Sequence, residues 1–137
     1  MTLAVSAPVS APFVSIPLSL QPHEYRSAVA AGAVPVDLRT AVEHRRSGAL
    51  LGAVAVESDQ ALDLLHPGSG QALRGAEADS QWILVSEDGY DAEMLAWHLQ
   101  ARGVRGARFV VGGVRALRYA GIHGSVGDDA LGFFDPR

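Results

Sequence analysis

Apolar residues along this chain fall into short, unalternated clusters, separated by segments in which they recur every three or four positions. Val34 to Leu38, Ala53 to Val56, Trp82 to Val85 and Arg108 to Val111 are the clusters, each short and unalternated, as buried strands are. Between them lie helix signals. Pro22 with Glu24 reads as a first helical turn, and Tyr25, Ala28 and Val29 follow at helical spacing until Gly32. Thr40 with Glu43 three residues on is a capping-box pattern, predicting a helix that runs to about Ser47. Residues 58 to 75 are expected to hold one or two short helices, interrupted by a loop over His66-Pro67-Gly68-Ser69-Gly70. Beyond the strongest apolar run comes the polar turn Ser86 to Tyr90, and then a helix to about Arg102 that Gly103 closes. In that helix Met94, Leu95, Trp97, His98 and Leu99 are expected to make one packed stripe, with Trp97 in the core or an interface rather than serving as a substrate platform. Gly112-Gly113 reads as a tight turn into a last helix, Val114 to Tyr119.

Strands alternating with helices predict an α/β domain, its mainly parallel sheet covered by helices on both faces. A further edge strand is expected near Val14 to Ile16. Residues 1–13 are expected to form a flexible tail, 14–120 the domain, and 121–137 a Gly- and Asp-rich C-terminal tail. The first twenty residues have no basic region, and Pro8, Pro12 and Pro17 interrupt their apolar stretch, which argues against a signal peptide and for a cytoplasmic protein.

Composition narrows the chemistry. A chain of 137 residues has room for one domain of ordinary size. With no cysteine it can hold no disulfide, thiolate metal site or cysteine nucleophile. Its cations are eleven arginines and no lysine, which excludes lysine Schiff-base chemistry and a P-loop lysine. The net charge of −4 gives no general attraction to phosphate backbones, so nucleic acid is not an expected partner. No apolar stretch reaches the roughly 18 residues a membrane span requires.

In a doubly wound sheet, ligands bind at the carboxyl ends of strands, which makes Ser86, Glu87, Asp88, Gly89, Tyr90 and Asp91 the candidate loop. That loop also opens a helix, where free backbone amides and the helix dipole favour an anion. Three segments carry a resemblance. VDLRTAVEHRRSGALLGAVAV has an Asp-x-Arg after a strand, a nearby Glu and a Gly-x-x-x-Gly-Ala turn, at Asp37, Arg39, Glu43, Gly48, Gly52 and Ala53. ILVSEDGYDAEMLAWHLQARGV places a six-residue loop between strand and helix, and ARFVVGGVRAL ends a strand in a double glycine. In this order, over roughly Pro17 to Tyr119, the chain resembles the rhodanese-like family.

The resemblance implies a single rhodanese-like domain with about five strands. It also implies what is missing. Family sulfurtransferases carry a cysteine where this chain has Ser86, commonly a basic residue where it has Asp91, and a histidine where it has Ala49; one extra residue separates Glu43 from Gly48, and Gly89 keeps its place. A serine hydroxyl cannot carry sulfane sulfur as a persulfide, and Glu87, Asp88 and Asp91 repel thiosulfate or phosphate. Within about 6 Å that repulsion reaches a few kcal/mol before salt screening.

Read without the resemblance, Ser86 is a turn and helix-capping residue, since Val-Ser-Glu-Asp-Gly is not a Gly-x-Ser-x-Gly elbow and no histidine lies nearby in sequence. The carboxylates at the helix start cap it, with a cationic ligand or metal as the alternative. His23, His44, His66, His98 and His123 show no ligand spacing and are expected to be scattered on the surface. Arg39 and Glu43, four apart, are expected to pair with each other. Arg102, Arg105, Arg108, Arg115 and Arg118 fall in a stretch from Met94 to Gly127 without an acidic residue, just after Glu87, Asp88, Asp91 and Glu93. Such segregation suits either a solvated face or an interface. The functional expectation is a catalytically silent domain, without cofactor or metal, that acts as a binding or regulatory partner of another protein in sulfur metabolism. The alternative is a divergent sulfurtransferase or phosphatase-like enzyme using the Ser86 loop.

Overall fold

A computed structural model describes residues 17–50 and 52–122. Five parallel strands form one sheet in the order β1-β5-β4-β2-β3: β1 Ser19–Leu20, β2 Val34–Asp37, β3 Val54–Ala55, β4 Gln81–Val85 and β5 Gly106–Val110. The helices are α1 Tyr25–Ala30, after a 3-10 turn at Pro22–Glu24, α2 Ala41–Ser47, α3 Ser58–Leu65, α4 Tyr90–Ala101 and α5 Gly113–Tyr119. The α/β class and the strand count are as expected.

Burial explains why the strands read as unbroken apolar runs. On central β4, Trp82 and Leu84 join a core with Ala92, Leu95, Ala96 and Leu99 of α4, while Ile83 and Val85 join a second core with Tyr25, Val114 and Leu117 on the other face. A strand covered on both faces has no position at which a polar side chain reaches water.

Local signals are realised closely. Thr40 Oγ1 accepts the Glu43 amide, and the Glu43 carboxylate accepts the Thr40 amide in return, so the capping box forms and α2 ends at Ser47. Residues 58 to 75 hold one α-helix, and the proline–glycine run after it is not plain loop: Pro67–Ser69 makes a 3-10 turn, with proline at its first position where no amide is needed. The expected strand at Val14 to Ile16 lies outside the described residues, as do the tail at 1–13 and positions 123–137 of the C-terminal tail; the described edge strand is Ser19–Leu20, paired with Phe109 and Val110. Among the described residues no helix is long and apolar enough to cross a membrane.

The expected packing of α4 needs correction. Its buried line is Ala92, Leu95, Ala96 and Leu99, whereas Met94 and Trp97 face outward, Trp97 at 62% exposure. Trp97 is therefore not a core residue.

Candidate functional site

β4 and β2 are neighbours whose connections leave in opposite directions across the sheet, β2 toward β3 and β4 toward β5. The crevice between their carboxyl ends is the topological switch point. Asp37 and Arg39 stand at one side of it and Ser86 to Asp91 at the other.

Ser86 follows β4 directly and is 4% exposed. Its hydroxyl oxygen accepts the Gly89 amide at 3.1 Å and the Ala92 amide at 3.2 Å, so it caps the start of α4 as expected of its type. Asp88 Oδ1 accepts the Tyr90 amide at 3.1 Å. The loop's own side chains thus occupy three of the amides that open this helix. No side-chain base among the described residues hydrogen-bonds the Ser86 hydroxyl.

The double glycine holds the loop from behind. Gly112 and Gly113 have φ of 80° and 63°, in the left-handed region, and a Cβ on Gly113 would collide with the carbonyl oxygens of Ser86 and Glu87 and with the Gly89 amide. With that contact open, the Val114 amide donates to Ser86 O at 2.9 Å and the Arg115 amide to Glu87 O at 3.2 Å. Gly112-Gly113 is therefore the tight strand-to-helix turn its sequence suggests, and it also sets the shape of the Ser86 loop.

Beneath the loop lies a charge network that sequence spacing did not reveal. Arg39, 3% exposed, donates Nε to Asp37 Oδ1 at 3.0 Å and Nη2 to Asp37 Oδ2 at 2.8 Å, with Asp37 itself 1% exposed. The guanidinium's remaining bonds reach Ser47 Oγ and Gly48 O, tying the end of β2 to the end of α2. The expected Arg39–Glu43 pair does not form, because Glu43 is committed to the capping box. Burial alone would lower the Arg39 pKa, but the hydrogen bonds and charge of Asp37, aided by Glu87 and Glu43, hold it above its ordinary value. Glu87 turns inward between two cations, with Oε1 3.9 Å from Arg39 Nη1 and Oε2 3.7 Å from Arg115 Nε. Its charge is compensated, unlike those of exposed Asp88 and Asp91, which form no ion pair among the described residues.

His44 is not a plain surface histidine either: its Nε2 is buried 3.4 Å from Asp37 Oδ2. Tyr25 packs beneath the sheet with a buried hydroxyl that finds no hydrogen-bond partner among the described residues, and burial, reinforced by the Asp37 charge, raises its pKa. An open cleft of about 450 Å³ lies beside the network, between α2 and the end of β3, lined by Arg39, His44, Arg45, Val56 and Glu57. Among the described residues no three His, Asp or Glu side chains converge on a point where a metal could sit. The one sequence signal for the network was Asp-x-Arg at a strand end, and what it lacked was the partner identities.

No family model matches the sequence, and no curated protein does. Solved structures do match. A Rhodopseudomonas palustris protein of unknown function, described as a possible tyrosine phosphatase, is 20% identical over 83% of this chain and 86% of its own, with a TM-score of 0.68. The human single-domain sulfurtransferase is 22% identical over 76% of this chain and 97% of its own, with a TM-score of 0.63. A rhodanese homologue from Thermus thermophilus is 26% identical over 72% of this chain and 99% of its own, with a TM-score of 0.53. With a five-stranded parallel sheet, a loop-bearing central strand and these structural relatives, the chain adopts the rhodanese-like fold.

Proposed function

We propose that this protein is a catalytically silent rhodanese-like domain that works by binding another protein, in a regulatory or accessory role within sulfur metabolism. The observation that carries the reading is Ser86: it occupies the nucleophile position implied by the family resemblance, and its oxygen is held by two amides with no base hydrogen-bonded to it among the described residues. An alcohol in that setting accepts no sulfane sulfur and is not deprotonated for phosphoryl attack. Asp88 and Asp91 at the rim disfavour thiosulfate or a phosphate ester through like charge. The assignment to sulfur metabolism rests on fold analogy with proteins such as the human sulfurtransferase.

The test is sulfur transfer from thiosulfate to cyanide, alongside hydrolysis of p-nitrophenyl phosphate, with purified wild type and Ser86→Ala. Both proteins are expected at the buffer rate. Turnover in the wild type that Ser86→Ala abolishes would overturn the reading and establish the loop as catalytic. For the binding role, a partner retained from source cells is expected to dissociate as salt shortens the Debye length from about 10 to about 3 Å, if the segregated charges form the interface. Retention at high salt would assign the contact to apolar surface instead.

A further inference from the structure

Helix α4 is apolar on two opposite faces. Ala92, Leu95, Ala96 and Leu99 pack inward, while Tyr90, Met94 and Trp97 are 65%, 44% and 62% exposed. Residues spaced four and three apart fall on one line of a helix, so these three and exposed Ala101 form a continuous outer stripe. Among the described residues the other large exposed apolar side chains lie away from this helix, Val42 on α2, Tyr119 on α5 and Val111 in the turn after β5. An amphipathic helix ordinarily turns one apolar face to the core and a polar one to water. A second apolar stripe containing a tryptophan and a methionine marks a contact surface.

The charges beside the stripe identify its occupant. Exposed Asp88, Asp91 and Glu93 cluster about its first half, and His98 and Arg102 border its second half. No ion pair engages Asp88, Asp91 or Glu93 among the described residues. A surface that is acidic at one end, cationic at the other and apolar between is complementary to itself once rotated by a half turn. We infer that α4 docks against α4 of a second copy of this chain, antiparallel, about a two-fold axis lying between Met94 and Trp97. That arrangement is isologous, so each contact occurs twice. Met94 of each copy meets Trp97 of the other, a favourable sulfur–aromatic contact, and Tyr90 lies over the small Ala101. Asp91, His98 and Arg102 lie along the same flank of the stripe, a flank that the half turn preserves, so Asp91 of one copy comes beside His98 and Arg102 of the other, and the His98 ring N–H donates to the carboxylate in either protonation state. The antiparallel helix dipoles add to the attraction.

A twelve-residue helix is about 18 Å long, so this contact is smaller than the roughly 800 Å² per partner of a standard interface. The dimer is accordingly weak, with a dissociation constant on the order of 10 to 100 μM. This inference stands apart from the silent-domain reading, since it needs nothing of the Ser86 loop.

Sedimentation equilibrium of the full chain, from about 5 to 500 μM, tests it. Wild type is expected to follow a monomer–dimer equilibrium, and Trp97→Ala to remain monomeric throughout, with unchanged circular dichroism because the residue is exposed. His98→Glu sets like charges together twice and should weaken dimerisation about 3- to 10-fold. Adding Asp91→Arg to His98→Glu restores opposite charges and should return the constant to within about 3-fold of wild type. A wild type monomeric at 500 μM would overturn the inference; acrylamide quenching of Trp97 in that monomer would then show whether the stripe is covered by another part of the same chain. A dimer indifferent to Trp97→Ala, or a double variant no tighter than His98→Glu, would overturn it equally.

Discussion

Replacing Ser86 with cysteine asks what the loop geometry does to a thiol. The sequence alone suggests cancellation, with a helix N-terminus lowering the pKa and Glu87, Asp88 and Asp91 raising it. The structure changes the balance in two places. Sγ would sit where Oγ now accepts the Gly89 and Ala92 amides, and hydrogen bonds to a charged group are each worth about 1.5 to 3 kcal/mol. Glu87 lies between Arg39 and Arg115 and contributes little net repulsion. What opposes the thiolate is burial, together with exposed Asp88 and Asp91, which after screening cost about 1 kcal/mol between them. With the two bonds together worth about 4.5 kcal/mol and burial taking back about 1 to 2 kcal/mol, the thiolate is left ahead by roughly 1.5 to 2.5 kcal/mol, or one to two units below the reference of about 8.5. Because the chain has no other cysteine, iodoacetamide alkylation followed against pH reports this site alone. The midpoint is expected near 7, and Arg115→Ala in the same background should raise it by freeing the Glu87 charge. Thiosulfate turnover should stay low in the single variant, because the rim still repels the donor, and should rise when Asp88→Arg and Asp91→Arg are added. Glu87 is best left in place, since replacing it with a cation would crowd Arg39 and Arg115. A midpoint at or above 8.5 would refute the reasoning and mean that burial and the carboxylates prevail over the two amides.

Other expectations concern stability. Arg39→Ala leaves the buried Asp37 carboxylate without its bidentate partner and should cost about 3 to 5 kcal/mol in urea unfolding; a loss under 1 kcal/mol would show that water or His44 replaces the guanidinium. Gly113→Ala combines a positive φ with a collision against the loop carbonyls, so it should lower the melting temperature by well over 5 °C, or prevent folding, while Gly121→Ala, where a Cβ meets nothing, should do much less. Tyr25→Phe removes a buried hydroxyl without a partner and should be neutral or stabilising at pH 7. The folded-state pKa of Tyr25 is raised above the unfolded value near 10, so wild-type stability is unaffected by this group below pH 10 and falls by about 1.4 kcal/mol per unit above it. Tyr25→Phe should therefore lose less stability than wild type between pH 10 and 11 in denaturant titrations, and equal losses would show that other groups dominate.

Much of the architecture was determined by signals that close over a few residues. Thr40 and Glu43 bind each other's amides across three positions, and the sequence Trp82 to Val85 can be apolar without interruption only where both faces of a strand are covered. Ser86 was readable as a cap for the same reason, since its hydroxyl serves amides three and six residues ahead. Partner choice between distant segments was another matter. Glu43 lies at the helical distance from Arg39, yet Arg39 turns to Asp37, because the end of β2 buries both and leaves Glu43 to its cap. Glu87 meets Arg115 only because parallel pairing of β4 with β5 brings the double glycine behind the loop. Trp97 shares its helix with two apolar lines, and local spacing cannot say which of them the sheet will cover. That was decided by where β4 and β5 place the floor on which α4 rests, a contact formed between residues far apart in the chain and absent from any short window of it.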